Sequence, residues 1–210
     1  MNCNDASRSH LTRRAAAALL FCAALLPAAC ATEPAPARRD MIGFAGSPRI
    51  GLDVASIAVD DRYNSPGKPP YVEHIHPQTP AGIAQRWADD KLVAAGSRGI
   101  ATLTILDGSV TEEKLATKGG VEGFFGDQLD TRLRAHLKAR LTVSRPGTQP
   151  GESSTFSADV NATGERTILQ SASLNERDAA YDGLMRSLAQ QFDSALEAEV
   201  RRTMRPVILY

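Results

Sequence analysis

The chain has almost no cysteine. Cys3, Cys22 and Cys30 are the three present, all near the start of 210 residues. The body beyond Cys30 therefore cannot hold an internal disulfide, and a domain of this size does not need one even in an oxidising compartment. Excess charge is also missing. The 24 Lys and Arg are matched by 24 Asp and Glu, which argues against a general nucleic-acid binder. The apolar run from Ala15 to Ala29 is only about 15 residues, short of the roughly 20 that a membrane-spanning helix needs. A G-x-S-x-G nucleophile turn is absent, and no thiol nucleophile lies past Cys30. Lys118-Gly119-Gly120 lacks the glycine-rich run and the following Ser or Thr of a phosphate loop. His136 could serve a serine, but any folded chain offers such a pairing. The reading is non-enzymatic, with no cofactor.

What is present at the start is an export signal. Arg13-Arg14 precedes the apolar run, which exits through Leu25-Leu26-Pro27-Ala28-Ala29-Cys30. A basic start, a short apolar core and a small-residue exit assign residues 1–29 to a signal peptide. Ala28-Ala29-Cys30 resembles the lipobox of bacterial lipoproteins. That resemblance implies that Cys30 becomes the new N-terminus and carries the lipid. Pro27 departs from the pattern, which usually has Leu there, although Leu26 is adjacent. Ala29-Cys30-Ala31 also fits an A-x-A site for ordinary signal peptidase, which would leave a soluble periplasmic protein. Thr12-Arg13-Arg14 invites a twin-arginine reading, but Ala15-Ala16-Ala17 follows where that motif has bulky residues. Residues 30–48, rich in Pro and Ala without apolar periodicity, form a tether. Acyl chains on Cys30 would hold the protein on a membrane at ~0.8 kcal/mol per buried methylene. In the lipoprotein family a residue other than Asp after the Cys, here Ala31, implies outer-membrane sorting.

The remaining stretch, 49–210, fits one domain. Ile50 to Asp60 reads as a strand with a bulge or twist near Ala55, because Ile50, Leu52 and Val54 share one face and Ile57 and Val59 the other. Thr79-Pro80 opens a helix, with Thr as N-cap and Pro at the first position. Its stripe Ile83, Ala84, Trp87, Ala88, Leu92, Ala95 runs to a C-cap at Gly96, and Trp87 belongs to the core. Gly99 to Asp107 is a second strand that Ser109 to Thr117 can continue. Thr131 to Ser144 alternates strictly, with Leu133, Ala135, Leu137, Ala139, Leu141 and Val143 on one side. Such alternation puts one face on a core and the other in water or on a partner. Phe156, Ala158, Val160 and Ala162 begin a fourth strand that reaches about Leu169. Ser173-Leu174-Asn175-Glu176 is a capping box. The helix after it buries Tyr181, Leu184, Met185, Leu188, Phe192, Leu196 and Val200. Pro206 ends that helix, and Val207 to Tyr210 is expected to pack as a short extension. The spacing predicts an α+β two-layer sandwich in the order β-α-β-β-β-α, with two helices on one face of a four-stranded, mainly antiparallel sheet.

A signal ending at Cys30, a Pro/Ala tether and this body closed by a long capped helix resemble small Gram-negative envelope lipoproteins. The nearest are the LptE-like lipopolysaccharide-assembly lipoproteins; ABC-transport auxiliary lipoproteins are a looser match. The resemblance lies in organisation, without a diagnostic motif in the body. It implies a non-enzymatic role on the periplasmic face of the outer membrane, and a partner that is an envelope membrane protein or an anionic lipid. LptE-like proteins contact lipopolysaccharide through basic residues, so the resemblance points to the one basic stripe here.

That stripe is Arg132, Arg134, His136, Lys138 and Arg140, spaced ~6.6 Å apart along one sheet face. It could take phosphates or an acidic partner. It could equally be a solvated face whose charges pair with Asp159 and Glu165 on the next strand. Phe124-Phe125, between glycines, could dock into a partner or lipid, or cap the end of the sandwich. His74 and His76, with Glu73 beside them, are the weak metal candidates. Catalytic zinc needs three protein ligands, and no third is signposted nearby. They carry the alternative reading of a soluble periplasmic small-ligand or metal binder.

Overall fold

The structure, a computed structural model, describes residues 40–116, 129–147 and 152–209. Cys30, Phe124 and Phe125 lie outside the described residues, as does the signal peptide 1–29.

The capping signals do what their chemistry requires. The Thr79 hydroxyl accepts the Gly82 N–H at 3.0 Å and starts helix α1, Pro80–Lys91. Ser173 and Glu176 form the reciprocal box that starts α2, Leu174–Thr203, with the Ser173 N–H donating to the Glu176 carboxylate at 2.7 Å. The apolar stripe of α2 is buried from Tyr181 to Val200 as its spacing predicts. α1 stops well before Gly96. Leu92 takes an extended conformation, and Leu92–Ala94 becomes strand β3. Leu92 and Ile50 are both buried there, paired across two strands.

The expected first strand is two. Ile50–Leu52 is β1 and Ser56–Asp61 is β2, and they belong to different sheets. The phase change near Ala55 marks a change of sheet, not a bulge. β1 runs parallel to β3 and antiparallel to β8, Ile208–Leu209, in a three-stranded sheet. The C-terminal segment packs: Val207 is buried and its carbonyl accepts the Asp53 N–H at 2.8 Å.

The larger sheet has five strands. β4 is Ile100–Asp107, β5 is Val110–Lys114, β6 is Leu129–Pro146 and β7 is Ser153–Leu169. β4 and β5 both pair antiparallel with the same edge of β6, and β7 pairs with the other edge along nearly its whole length. β2 pairs with β4 in parallel. One four-stranded, mainly antiparallel sheet is thus corrected to two mixed sheets of three and five strands. The reason is α1: a helix between two strands carries the chain back to the starting end, which is the connection parallel pairing demands.

Two glycines permit close approaches. Gly99 enters β4 at φ +87°, where an added Cβ would also collide with the Ser144 carbonyl. A Cβ on Gly164 would meet the end of the Leu184 side chain at 2.7 Å, so a larger residue there would require Leu184 to shift. Alternate residues of β6 from Thr131 to Val143 are buried beneath the helices.

The two helices are locked by a buried lysine. Lys91 is 1% exposed, and its ammonium lies 2.9 Å from Asp193 and 2.8 Å from Glu197 of α2. The Trp87 indole N–H donates to the same Asp193 at 2.7 Å, and its ring meets Phe192 edge-on. Burial alone would lower the Lys91 pKa; the hydrogen bonds and charges of Glu197 and Asp193 overcome this and hold it above the ordinary lysine value. The Lys91 and Arg201 hydrogen bonds hold the Glu197 carboxyl below its usual range. Lys91→Ala should cost roughly 2 kcal/mol in urea denaturation, below the 3–5 of a fully buried pair because both carboxylates are about a quarter exposed. The Glu197 contribution is complete above its ordinary pKa and disappears as pH falls through the lowered folded value. The difference between wild type and Lys91→Ala should therefore shrink on acidification.

Candidate functional site

The period of two that buries one side of β6 aims Arg132, Arg134, His136, Lys138 and Arg140 away from both helices. The structure brings all five onto one open face, flanked by Thr102 and Thr104 of β4 and by Asp159, Asn161, Thr163 and Glu165 of β7. The arginines are largely spent on neighbours. Arg132 lies 2.9 Å from Glu165, and Arg134 bridges Glu113 at 3.1 Å and Glu165 at 3.2 Å. Arg140 pairs with Asp159 at 2.7 Å. Asp159 and Glu165 are the partners the strand pattern suggests. Glu113 is the one it misses, because the register of β5 against β6 cannot be read from sequence.

Lys138, opposite Asn161, has no ion pair among the described residues, and His136 sits opposite Thr163. The face therefore sets the cations Arg132, Arg134, Lys138 and Arg140 against the carboxylates Glu113, Glu165, Asp159 and Asp107, the last opposite Lys138 on β4. Its net charge is balanced. Chemically this is a face of paired charges rather than a trough for a polyanion.

The histidines do not converge on a metal. His74 is exposed at a short 3-10 turn, Glu73–Ile75. The His76 ring stacks on Tyr181 at 3.6 Å, and the Tyr181 hydroxyl donates to the Gln78 carbonyl at 2.8 Å. Among the described residues no cluster of three or more His, Cys, Asp or Glu could hold a metal ion.

A buried carboxylate that sequence reasoning passed over lies beside them. Glu73 is 2% exposed and accepts from the Tyr63 hydroxyl at 2.7 Å, the Ser65 hydroxyl and the Val110 N–H at 3.0 Å. Burial alone would raise its pKa; the hydrogen bonds from Ser65, Val110 and Tyr63 outweigh that and leave it below the usual range. Burial, together with the Glu73 hydrogen bond and charge, raises the Tyr63 phenol well above the ordinary tyrosine value. With its donors in place, this carboxylate pins the 62–79 loop to the start of β5. The only sequence signal was a Glu in an apolar-flanked loop, which the adjacent histidines drew into a metal reading.

Among the described residues no helix is long and apolar enough to cross a membrane. No family model matches this chain, and no curated protein is similar enough to match it.

Glu73→Ala would strand the buried Val110 N–H and remove the acceptor of the partly buried Tyr63 and Ser65 hydroxyls. It should destabilise by about 2–3 kcal/mol, measured as a fall in Tm. Because the folded pKa is lowered, the Glu73 contribution is present above its ordinary value and lost as pH falls through the folded one. Wild type and Glu73→Ala should thus converge in stability on acidification.

Proposed function

We propose that this chain is an exported, non-enzymatic envelope lipoprotein, anchored through Cys30, that supports a membrane assembly in outer-membrane lipid or lipopolysaccharide handling. Its place is the periplasmic face of the outer membrane, and its partner is an envelope membrane protein or an anionic lipid. The observation that carries this reading is the open sheet face. Both helices lie on one side of the large sheet, and the other side presents Arg132 to Arg140 with their carboxylate neighbours over the 18 residues of β6. A helix-backed sheet with a polar, internally paired face suits contact with another macromolecule. Of the expected tether 30–48, residues 40–48 pack on the domain, with Phe44 buried and its N–H donating to Asp90 at 2.7 Å, so residues 30–39 would be the part that gives the domain freedom to reach its partner.

The test is the intact mass of protein extracted from membranes, for wild type and Cys30→Ala. A diacyl or triacyl mass that vanishes in the variant is expected. Cleavage after Ala31 without lipid would remove the anchor and favour a soluble periplasmic protein. A photo-crosslinker at Lys138 should then yield an adduct with an envelope membrane protein or an anionic lipid.

A further inference from the structure

We infer that the end of the domain formed by the start of β6, the end of β7 and the start of α2 rests on the lipid surface that holds the anchor. This inference builds on the lipoprotein reading above. At this end three leucines are left in solvent. Leu129 and Leu169 are 47% and 38% exposed and face each other across β6 and β7. Leu174, which opens α2, is 81% exposed. Between the end of β7 and α2 runs an open groove of about 440 Å³, lined in part by Leu169, Ala172 and Ala180 with Arg166 beside them.

Arg166 has no ion pair among the described residues, and Glu176 lines the same groove. Asp130 is shared by Lys114 at 2.9 Å and Arg177 at 3.5 Å, so one carboxylate answers two cations. Exposed leucines beside the long side chains of Arg166, Lys114 and Arg177, with the carboxylates Asp130 and Glu176 among them, make a mixed apolar and polar surface of the kind that lies at a lipid interface.

The chain's entry point selects this end. The Asp40 carbonyl accepts from Gln78, whose own carbonyl accepts from Tyr181. Tyr181 lies ~10 Å along α2 from Leu174 but ~33 Å from Thr203. Residues 30–39 can span at most ~36 Å fully extended. An anchor at Cys30 therefore holds the leucine end closer to the bilayer than the end at Thr203. The other end would face the bilayer only if the tether ran back along the domain nearly taut.

The test uses the absence of cysteine beyond Cys30. An environment-sensitive thiol fluorophore is placed on Leu174→Cys and, at the far end, on Arg205→Cys, in protein extracted from membranes. Each is mixed into vesicles of phosphatidylethanolamine and phosphatidylglycerol, with unlabelled wild type as background and intact mass as the check on acylation. The expected result is a several-fold rise and blue shift at position 174, quenched by brominated acyl chains, with no change at position 205. Acylated protein in which position 174 stays as silent as 205 overturns this inference and leaves the anchor standing. If the mass shows no lipid, the anchor reading fails by itself. A vesicle-dependent shift at position 174 would still support a lipid-facing end, and silence would end it. Leu129→Asp together with the label at 174 should abolish the shift while Tm stays near wild type, since Leu174 is 81% and Leu129 about half exposed.

Discussion

The arrangement of both helices rests on one buried ammonium. Lys91 ends α1, and its position is tolerable only with Asp193 and Glu197 of α2 beside it. A lysine taken out of water without partners would cost several kcal/mol, whereas a mispaired apolar contact costs far less. The pair therefore penalises any packing of the two helices that separates Lys91 from Asp193 and Glu197. It sets which turn of α1 meets which turn of α2, and Trp87 against Phe192 and Asp193 reinforces that register. With α1 fixed on α2, the crossover from β2 to β4 is fixed, and both helices lie over the same side of the large sheet. The open face is the consequence.

Sequence reveals local order far better than long-range pairing. Thr79, the Ser173–Glu176 box, the α2 stripe and the alternation of β6 are each signals within a few residues, and each is found where its chemistry puts it. Lys91 reads as an ordinary cation at a helix C-terminus, because its partners are 102 and 106 residues away. The end of α1 is misplaced for a related reason. Leu92 and Ala95 continue a helical period, yet Leu92 is needed beside Ile50 in a second sheet. The parallel pairing of β2 with β4 was implied by the helix between them, but the even alternation of β6 drew the whole sheet toward an antiparallel reading.

The site divides along the same line. That Arg132 to Arg140 share a face follows from period two alone. How much of their charge is free does not, since it depends on Glu113 arriving from β5 by a register that no local signal encodes. Pairing within the face lowers its long-range pull on polyanions, because opposite charges a few ångströms apart cancel beyond about a Debye length, ~8 Å at physiological salt. What remains is short-range and geometric: a lattice of donors and acceptors fixed by the strand register.

The free edge of β7 extends that lattice. The Thr163 N–H donates to Gln191 of α2 at 2.8 Å, so it points away from β6. In an antiparallel ladder every second residue shares that direction, which places the N–H and C=O groups of Asp159, Asn161 and Glu165 on the same edge. These are also the residues whose side chains lie on the open face. β7 has 17 residues and contains neither Pro nor Lys, two of the usual devices that blunt an exposed edge. Among the described residues Gln191 is the side chain that accepts from an outward N–H of this edge. A strand added there would be held by backbone hydrogen bonds and would carry the open face onward without a break. Edge and face are therefore one surface in physical terms, and a partner that engages either meets the same alternating set of residues.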